Sequence, residues 1–285
     1  MRENIITLSD GRKLGYAEYG QSDGEVVFEF HGTPGSRYQV DATRLESIAK
    51  EGPVPLRIIV PERPGYGLSD PKAGRTLEDW CLDIEALSNE LGVERFSIVG
   101  ISGGGPFALA CAYRMPTRIR KIAVICGFGP IDVLGQEDLS NEERTCLQGP
   151  EFTRIYITQL ANKVNADPDG FTEYFISNLP KLDRELISDD LIPIFKPYAV
   201  EALRQEEGMV HDFIIFGQPW NIPLQNIRVP VAFWHSEADH NVPISHAEYL
   251  ASVIPHAELH RIQGYDHTGS VLAAQPELYH FLTTD

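Results

Sequence analysis

The chain has 285 residues, 42% hydrophobic and 23% charged, with a formal net charge of −17 at pH 7; this is the balance of a soluble globular protein able to bury one large core or two smaller ones. That acidity argues against a nucleic-acid partner, because neutralising phosphates needs a basic face, and against adsorption to anionic lipid. Residues 131–226 carry 17 Asp and Glu against 7 Lys and Arg, so more than half of the excess sits in one third of the chain, where a solvated surface accounts for it.

The first ten residues hold no long apolar stretch followed by small residues, so a cytoplasmic protein is expected. Strand-like runs follow at Glu3–Leu8, Lys13–Tyr19, Glu25–Phe30, Arg57–Pro61, Phe96–Gly100, Lys121–Cys126, Val229–His235 and Glu258–Ile262. The first two are joined by Asp10-Gly11, a hairpin turn pair. The later ones are separated by helix-length segments such as Arg37–Lys50, Leu77–Leu91 and Pro106–Met115, the alternation that builds a mostly parallel sheet covered on both faces. Between about Ile131 and Asn226 the alternation gives way to amphipathic helical patterns, as at Glu151–Lys163, Phe171–Leu179 and Tyr198–Glu207, with breaks expected at Pro168, Pro180, Pro193, Pro197 and Pro219. An all-helical stretch between two strands of one sheet reads as a lid over its carboxyl edge, with hinges expected near Gly127–Pro130 and Pro219–Pro223. Cys81, Cys111, Cys126 and Cys146 share no metal-type spacing, so neither disulfides nor zinc are expected.

The fifth strand runs straight into Gly100-Ile101-Ser102-Gly103-Gly104 and then a small-residue helix. A serine on so sharp a strand-to-helix turn takes unfavourable dihedrals and crowds the positions two before and two after it, and Gly100 and Gly104 meet that demand by lacking side chains. The hydroxyl is then exposed at the carboxyl end of the sheet, the geometry of a nucleophile elbow. Gly-x-Ser-x-Gly also occurs in ordinary glycine-rich loops, so context decides.

Four further segments supply that context: His31-Gly32-Thr33-Pro34-Gly35 after the third strand, Glu62-Arg63-Pro64-Gly65-Tyr66-Gly67-Leu68-Ser69 after the fourth, and the late acid and histidine segments Ser236–Pro243 and Gly264–Gly269. With the elbow, and in this order, they resemble the α/β-hydrolase family of the capped, lipase- or peptidase-like kind, from about residue 5 to residue 283. The resemblance implies an eight-stranded, mostly parallel sheet with flanking helices, a core formed by residues 1–130 and 227–285, and a helical cap at 131–226. It makes Ser102 the nucleophile, His267 the general base and Asp239 the acid that orients it. Glu237, Asp266 and, after the preceding strand, Asp132 compete for the acid's role.

The oxyanion donors implied are the N–H groups of Gly103 and Thr33, since Pro34 has none, with Gly32 and Gly35 letting the backbone turn close to substrate and His31 bracing the loop. The 62–69 segment resembles the family's structural loop, with Glu62 where relatives commonly have Asp. Aromatic residues of the insertion, among them Tyr156, Tyr198, Phe213, Phe216 and Trp220, either line a pocket or form the insertion's own core. The activity implied is hydrolysis of carboxylic esters of small or medium acyl or aromatic groups, a small-molecule substrate needing no metal or organic cofactor. Proline iminopeptidase-like cleavage and carbon–carbon bond hydrolysis are the alternatives on the same fold; a non-catalytic ligand-binding protein is the alternative of another class.

Overall fold

A computed structural model describes residues 1–38, 42–51, 54–187 and 192–284. β1 (Arg2–Thr7) and β2 (Lys13–Gly20) form an antiparallel hairpin turning through Gly11, whose φ of +87° suits a residue without Cβ. Then come β3 (Glu25–Phe30), α1 (Ala42–Glu51), β4 (Leu56–Pro61), α2 (Leu77–Glu90), β5 (Phe96–Ile101), α3 (Gly105–Arg114) and β6 (Ile119–Ile125). α2 starts at a closed capping box, in which Asp79 N donates to Thr76 Oγ1 (3.2 Å) and Thr76 N to Asp79 Oδ2 (2.8 Å). β7 (Val231–Ser236), α11 (Ser245–Val253), β8 (Glu258–Ile262) and α12 (His267–Thr283) complete the sheet and its cover. All eight expected strands form, each within two residues of its expected bounds.

The strand order is β1-β2-β4-β3-β5-β6-β7-β8, parallel from β4 to β8 with β2 antiparallel to both its neighbours. Side chains alternate between two cores, as period-two geometry requires. In β6, Ile122 and Val124 join Phe28 and Phe107 on one face, while Ala123 and Ile125 join Val99 and Leu278 on the other. Because β3 leads outward to β4 while β5 leads the other way to β6, the chain parts at their carboxyl ends and opens a crevice. The loop after β3 and the turn after β5 border that crevice.

Between β6 and β7 the chain is helical: α4 (Ile131–Leu134), α5 (Asn141–Leu147), α6 (Pro150–Ala166), α7 (Pro168–Asn178), α8 (Lys181–Leu186), α9 (Ile192–Ala202) and α10 (Glu207–Phe216). Two expectations fail within this stretch. Tyr198–Glu207 is not one helix, because α9 ends at Ala202 and α10 begins at Glu207. Pro193 and Pro197 do not break the chain but lie in α9, Pro193 at the second position, where an N–H has no intrahelical partner to lose. Packing against α6 and α7, including the Phe175–Phe195 ring stack at 4.6 Å, outweighs the donor missing at Pro197. The break expected at Pro168 forms between α6 and α7, with Pro168 opening α7 and Asp167 capping it through the Gly170 N–H. The expected helix from Arg37 begins at Ala42, and residues 39–41 of it lie outside the described residues. The four cysteines are buried, free thiols.

Candidate active site

Ser102 follows β5 directly and has φ +49°, a left-handed conformation that a side-chain-bearing residue adopts only under constraint. A Cβ on Gly100 would lie 2.9 Å from the Gly104 carbonyl oxygen and from Ala108 Cβ, and one on Gly104 would lie 2.3 Å from the Phe30 carbonyl oxygen. The turn therefore nests against the end of β3. A Cβ on Gly32 would stand 3.6 Å from Ser102 Cβ, so the loop after β3 flanks the serine.

His267 is the first residue of α12, whose N-terminus is capped by Asp266 Oδ1 accepting the His267 N–H at 2.8 Å. Its Nδ1 lies 2.8 Å from Asp239 Oδ2, on the loop after β7. Asp239 Oδ1 in turn accepts the N–H groups of Asn241 and Val242, both at 2.9 Å, which fixes the carboxylate's orientation. Burial alone would raise the Asp239 carboxyl, but the charge of His267 and the bond to it outweigh this and hold its pKa at about 2. Burial likewise disfavours the His267 cation, yet the charge and hydrogen bond of Asp239 prevail and its pKa lies above the ordinary value. The competing acids are engaged elsewhere: Glu237 pairs with Arg261 (3.1 Å), Asp266 caps α12, and Asp132 is exposed in α4.

Among the described residues no hydrogen bond joins the Ser102 hydroxyl to His267, and such contacts commonly tighten only when substrate binds. Cys126, at the end of β6 with φ +48°, brings its thiol within 4.8 Å of the ligating atoms of Asp239 and His267. Burial and the Asp239 charge push that thiol well above its ordinary pKa, so it stays protonated beside the carboxylate and is no metal-ready thiolate.

On the other side of the serine, Thr33 Oγ1 would be 2.3 Å from a Cβ on Gly103, which brings the two expected oxyanion residues together. No turn, loop or side-chain acceptor among the described residues takes either N–H. His31 is buried, bonded through Nδ1 to the Gly32 carbonyl (2.8 Å) and accepting the Arg63 N–H at Nε2 (3.1 Å). Burial, reinforced by the Arg63 charge, drives its pKa well below the ordinary value, so this neutral ring braces the loop. Arg63 donates to the carbonyls of His31 (2.5 Å) and Gly32 (2.7 Å) and to Thr33 Oγ1 (3.0 Å). Glu62 accepts from the Leu68 N–H (2.8 Å) and from Arg37 (3.0 Å), closing the structural loop.

Several residues that act on this site were not singled out from the sequence. Asp212 of α10 is wholly buried and accepts from Arg63 Nη2 (2.8 Å), Tyr66 Oη (2.8 Å), Thr33 Oγ1 (2.7 Å) and Arg75. Burial would raise its pKa, but the two guanidinium charges hold it well below the ordinary carboxylate value. The available signal was an acid inside the apolar run Met209–Phe216. Asp183 of α8, also wholly buried, accepts the N–H groups of Asp266 (2.9 Å) and Gly269 (2.6 Å) at the start of α12. Nothing in its local sequence marks it. Of the aromatic residues of the insertion, Phe216 lies 3.0 Å from the Gly103 Cβ position and Tyr198 donates to the Pro34 carbonyl (3.2 Å), while Phe152 and Tyr174 are exposed.

Comparison with known proteins agrees with this fold. The alpha/beta hydrolase fold family matches residues 25–274. The chain is 27% identical to a bifunctional esterase/perhydrolase of Acinetobacter calcoaceticus over 276 residues, covering 92% of each chain. It is 31% identical to a non-heme chloroperoxidase of Streptomyces lividans over 130 residues, 45% of this chain and 46% of that one, so that match spans about half of the relative. In structure it superposes on a hydrolase from Pseudomonas aeruginosa with a TM-score of 0.71 at 18% identity, covering 99% of this chain and 97% of the other. Among the described residues no helix is long and apolar enough to cross a membrane.

Proposed function

We propose, since the chain belongs to the alpha/beta hydrolase fold family and is a hydrolytic enzyme, that it is a serine hydrolase of carboxylic esters with small to medium acyl or aromatic groups. The observation that carries this reading is the 2.8 Å contact between His267 Nδ1 and Asp239 Oδ2 at the sheet edge that also presents Ser102. With Nδ1 so engaged, Nε2 is the nitrogen left to act as base. In this reading Ser102 Oγ attacks the ester carbonyl and passes its proton to His267 Nε2, and Asp239 stabilises the imidazolium. The N–H groups of Thr33 and Gly103 receive the oxyanion. His267 then protonates the leaving alcohol and activates the water that releases the acyl group from Ser102. Residues 131–226 serve as a cap over a core of 1–130 and 227–285, with Phe216 beside Gly103 and Tyr198 donating to the Pro34 carbonyl on its inner surface. Coverage of 92% of an esterase relative supports ester cleavage over the peptidase alternative, whose relative from Xylella fastidiosa aligns with 42% of this chain.

Hydrolysis of p-nitrophenyl esters from acetate to decanoate tests the reading, with native protein set against Ser102→Ala. The expected result is activity that falls by on the order of 10⁴-fold or more in the variant. Native protein that cleaves no ester, and takes no fluorophosphonate label at Ser102, would instead make it a binding protein on this fold.

A further inference from the structure

Ser140-Asn141-Glu142-Glu143 has the same capping-box spacing that closes at the start of α2. At α5 only half of the box forms. Ser140 Oγ accepts the Glu143 N–H at 3.2 Å, but the Ser140 N–H, which the glutamate would normally take, is donated at 3.2 Å to the carbonyl of Asn241. This diversion ties the start of α5 to the loop that carries Asp239, two residues before Asn241. It also releases the Glu143 carboxylate from the only local duty its position gives it.

One oxygen of the released carboxylate is out of water. Although Glu143 as a residue is half-buried, its Oε2 is shut off from solvent and has no hydrogen-bond partner. The group lies where it interacts electrostatically with His267 and Asp239, with Glu142 on its own helix, and with Cys146 and Tyr156 of α5 and α6. His267 already has Nδ1 committed to Asp239, so Glu143 is not needed to orient it. Burial pushes the Glu143 carboxyl up to about 7, so both its ionised and its neutral form occur near neutral pH. A buried acceptor without a donor is unfavourable wherever it has no task. Beside the base of a hydrolase, the molecule that can bring the missing donor is the substrate.

We propose that Glu143 is a substrate-recognition residue whose unpartnered Oε2 accepts a hydrogen bond from a hydroxyl, amide N–H or ammonium group borne by the substrate near its scissile carbonyl. The preferred substrates are then donor-bearing esters, in place of plain alkyl esters. This rests on the ester-hydrolase reading and narrows its substrate class. The α5–Asn241 tether makes the arrangement specific: it holds the acceptor at a set place relative to Asp239.

The test is a panel of methyl esters carrying at C2, C3 or C4 a hydroxyl, an ammonium or, as isostere, a methyl group. Acid release is followed for native protein, Glu143→Gln and Glu143→Leu, with fluorophosphonate labelling of Ser102 to count folded sites. The readout is the ratio of kcat/KM for each donor-bearing ester to that of its methyl isostere. At one placement native protein should favour the donor by at least about tenfold. The ratio should fall to about one in Glu143→Leu, and Glu143→Gln should retain the hydroxyl preference while losing any ammonium preference. Ratios near one in native protein at every placement, or a preference unchanged in Glu143→Leu, would overturn the proposal while leaving ester hydrolysis intact. If native protein cleaves none of the esters, the ester reading falls and this proposal falls with it.

Discussion

The helical insertion meets the carboxyl edge of the sheet at two wholly buried aspartates, and the two are held by opposite means. Asp212 of α10 faces the guanidinium groups of Arg63 and Arg75, the Tyr66 phenol and the Thr33 hydroxyl. Asp183 of α8 faces two backbone N–H groups in the first turn of α12, where the helix dipole favours a negative charge. The first acts on the loop after β3 through Arg63; the second acts on the helix that begins at His267. A charge set among buried opposite charges can be replaced only by another charge. A charge at a helix N-terminus does the work of a cap, which neutral acceptors also do. The two sites should therefore respond differently to the same pair of substitutions.

The largest effect is expected at the charged site. Asp212→Ala leaves Arg63 and Arg75 buried without a counter-charge, a loss of about 3–5 kcal/mol, and Asp212→Asn should recover little of it because shape is kept while charge is not. Arg63 holds the carbonyls of His31 and Gly32, so the loop after β3, the proposed oxyanion loop, loosens as well and kcat should drop by up to about 10²-fold. Denaturant midpoints and single-ester kinetics of both variants check this. If Asp212→Asn is as stable as native protein, the site is not organised by charge.

At Asp183 the same substitutions should separate. Asp183→Ala exposes two N–H groups to an apolar setting and should lose about 1–2 kcal/mol, as removal of a cap does, whereas Asp183→Asn keeps an acceptor and should recover most of that. Gly269 adds a local constraint, since a Cβ there would come within 2.5 Å of the Asp183 carboxylate. Equal losses for Ala and Asn at position 183 would mean that charge matters there too, and the contrast with Asp212 would collapse.

These two aspartates also mark where the sequence stopped being legible. The strands could be read because burial on both faces forces continuous apolar runs such as Ile58-Ile59-Val60, and the turn at Ser102 because its glycines have no other steric reason to flank a serine. Asp239 and His267 were named from their motifs' place after the last two strands, and the fold brings those strands side by side. Asp183 finds its donors 83 and 86 residues away, and Asp212 meets Arg63 across 149, so no local window shows either pair. The prolines of α9 misled for the same reason: what keeps that helix is packing against α6 and α7, which lies outside the window in which a proline's missing N–H is visible.

Asp239 combines the two modes, and this yields the smallest and sharpest test. Its Oδ1 takes backbone N–H groups, as Asp183 does, and its Oδ2 faces a cation, as Asp212 does, except that this cation exists only when His267 is protonated. In the proposed mechanism the neutral imidazole is the base, so kcat/KM should rise with pH through the His267 pKa. Because Asp239's charge outweighs burial there, that pKa lies above the ordinary value, and the acid limb should fall above about 6.5. The Glu143 charge pushes in the same direction as Asp239 but as a lesser contributor, so Glu143→Gln should move the limb down. A limb below 6.5 in native protein would mean that burial prevails over pairing at His267, and Asp239 would then belong with the backbone-held Asp183 and not with the charge-held Asp212.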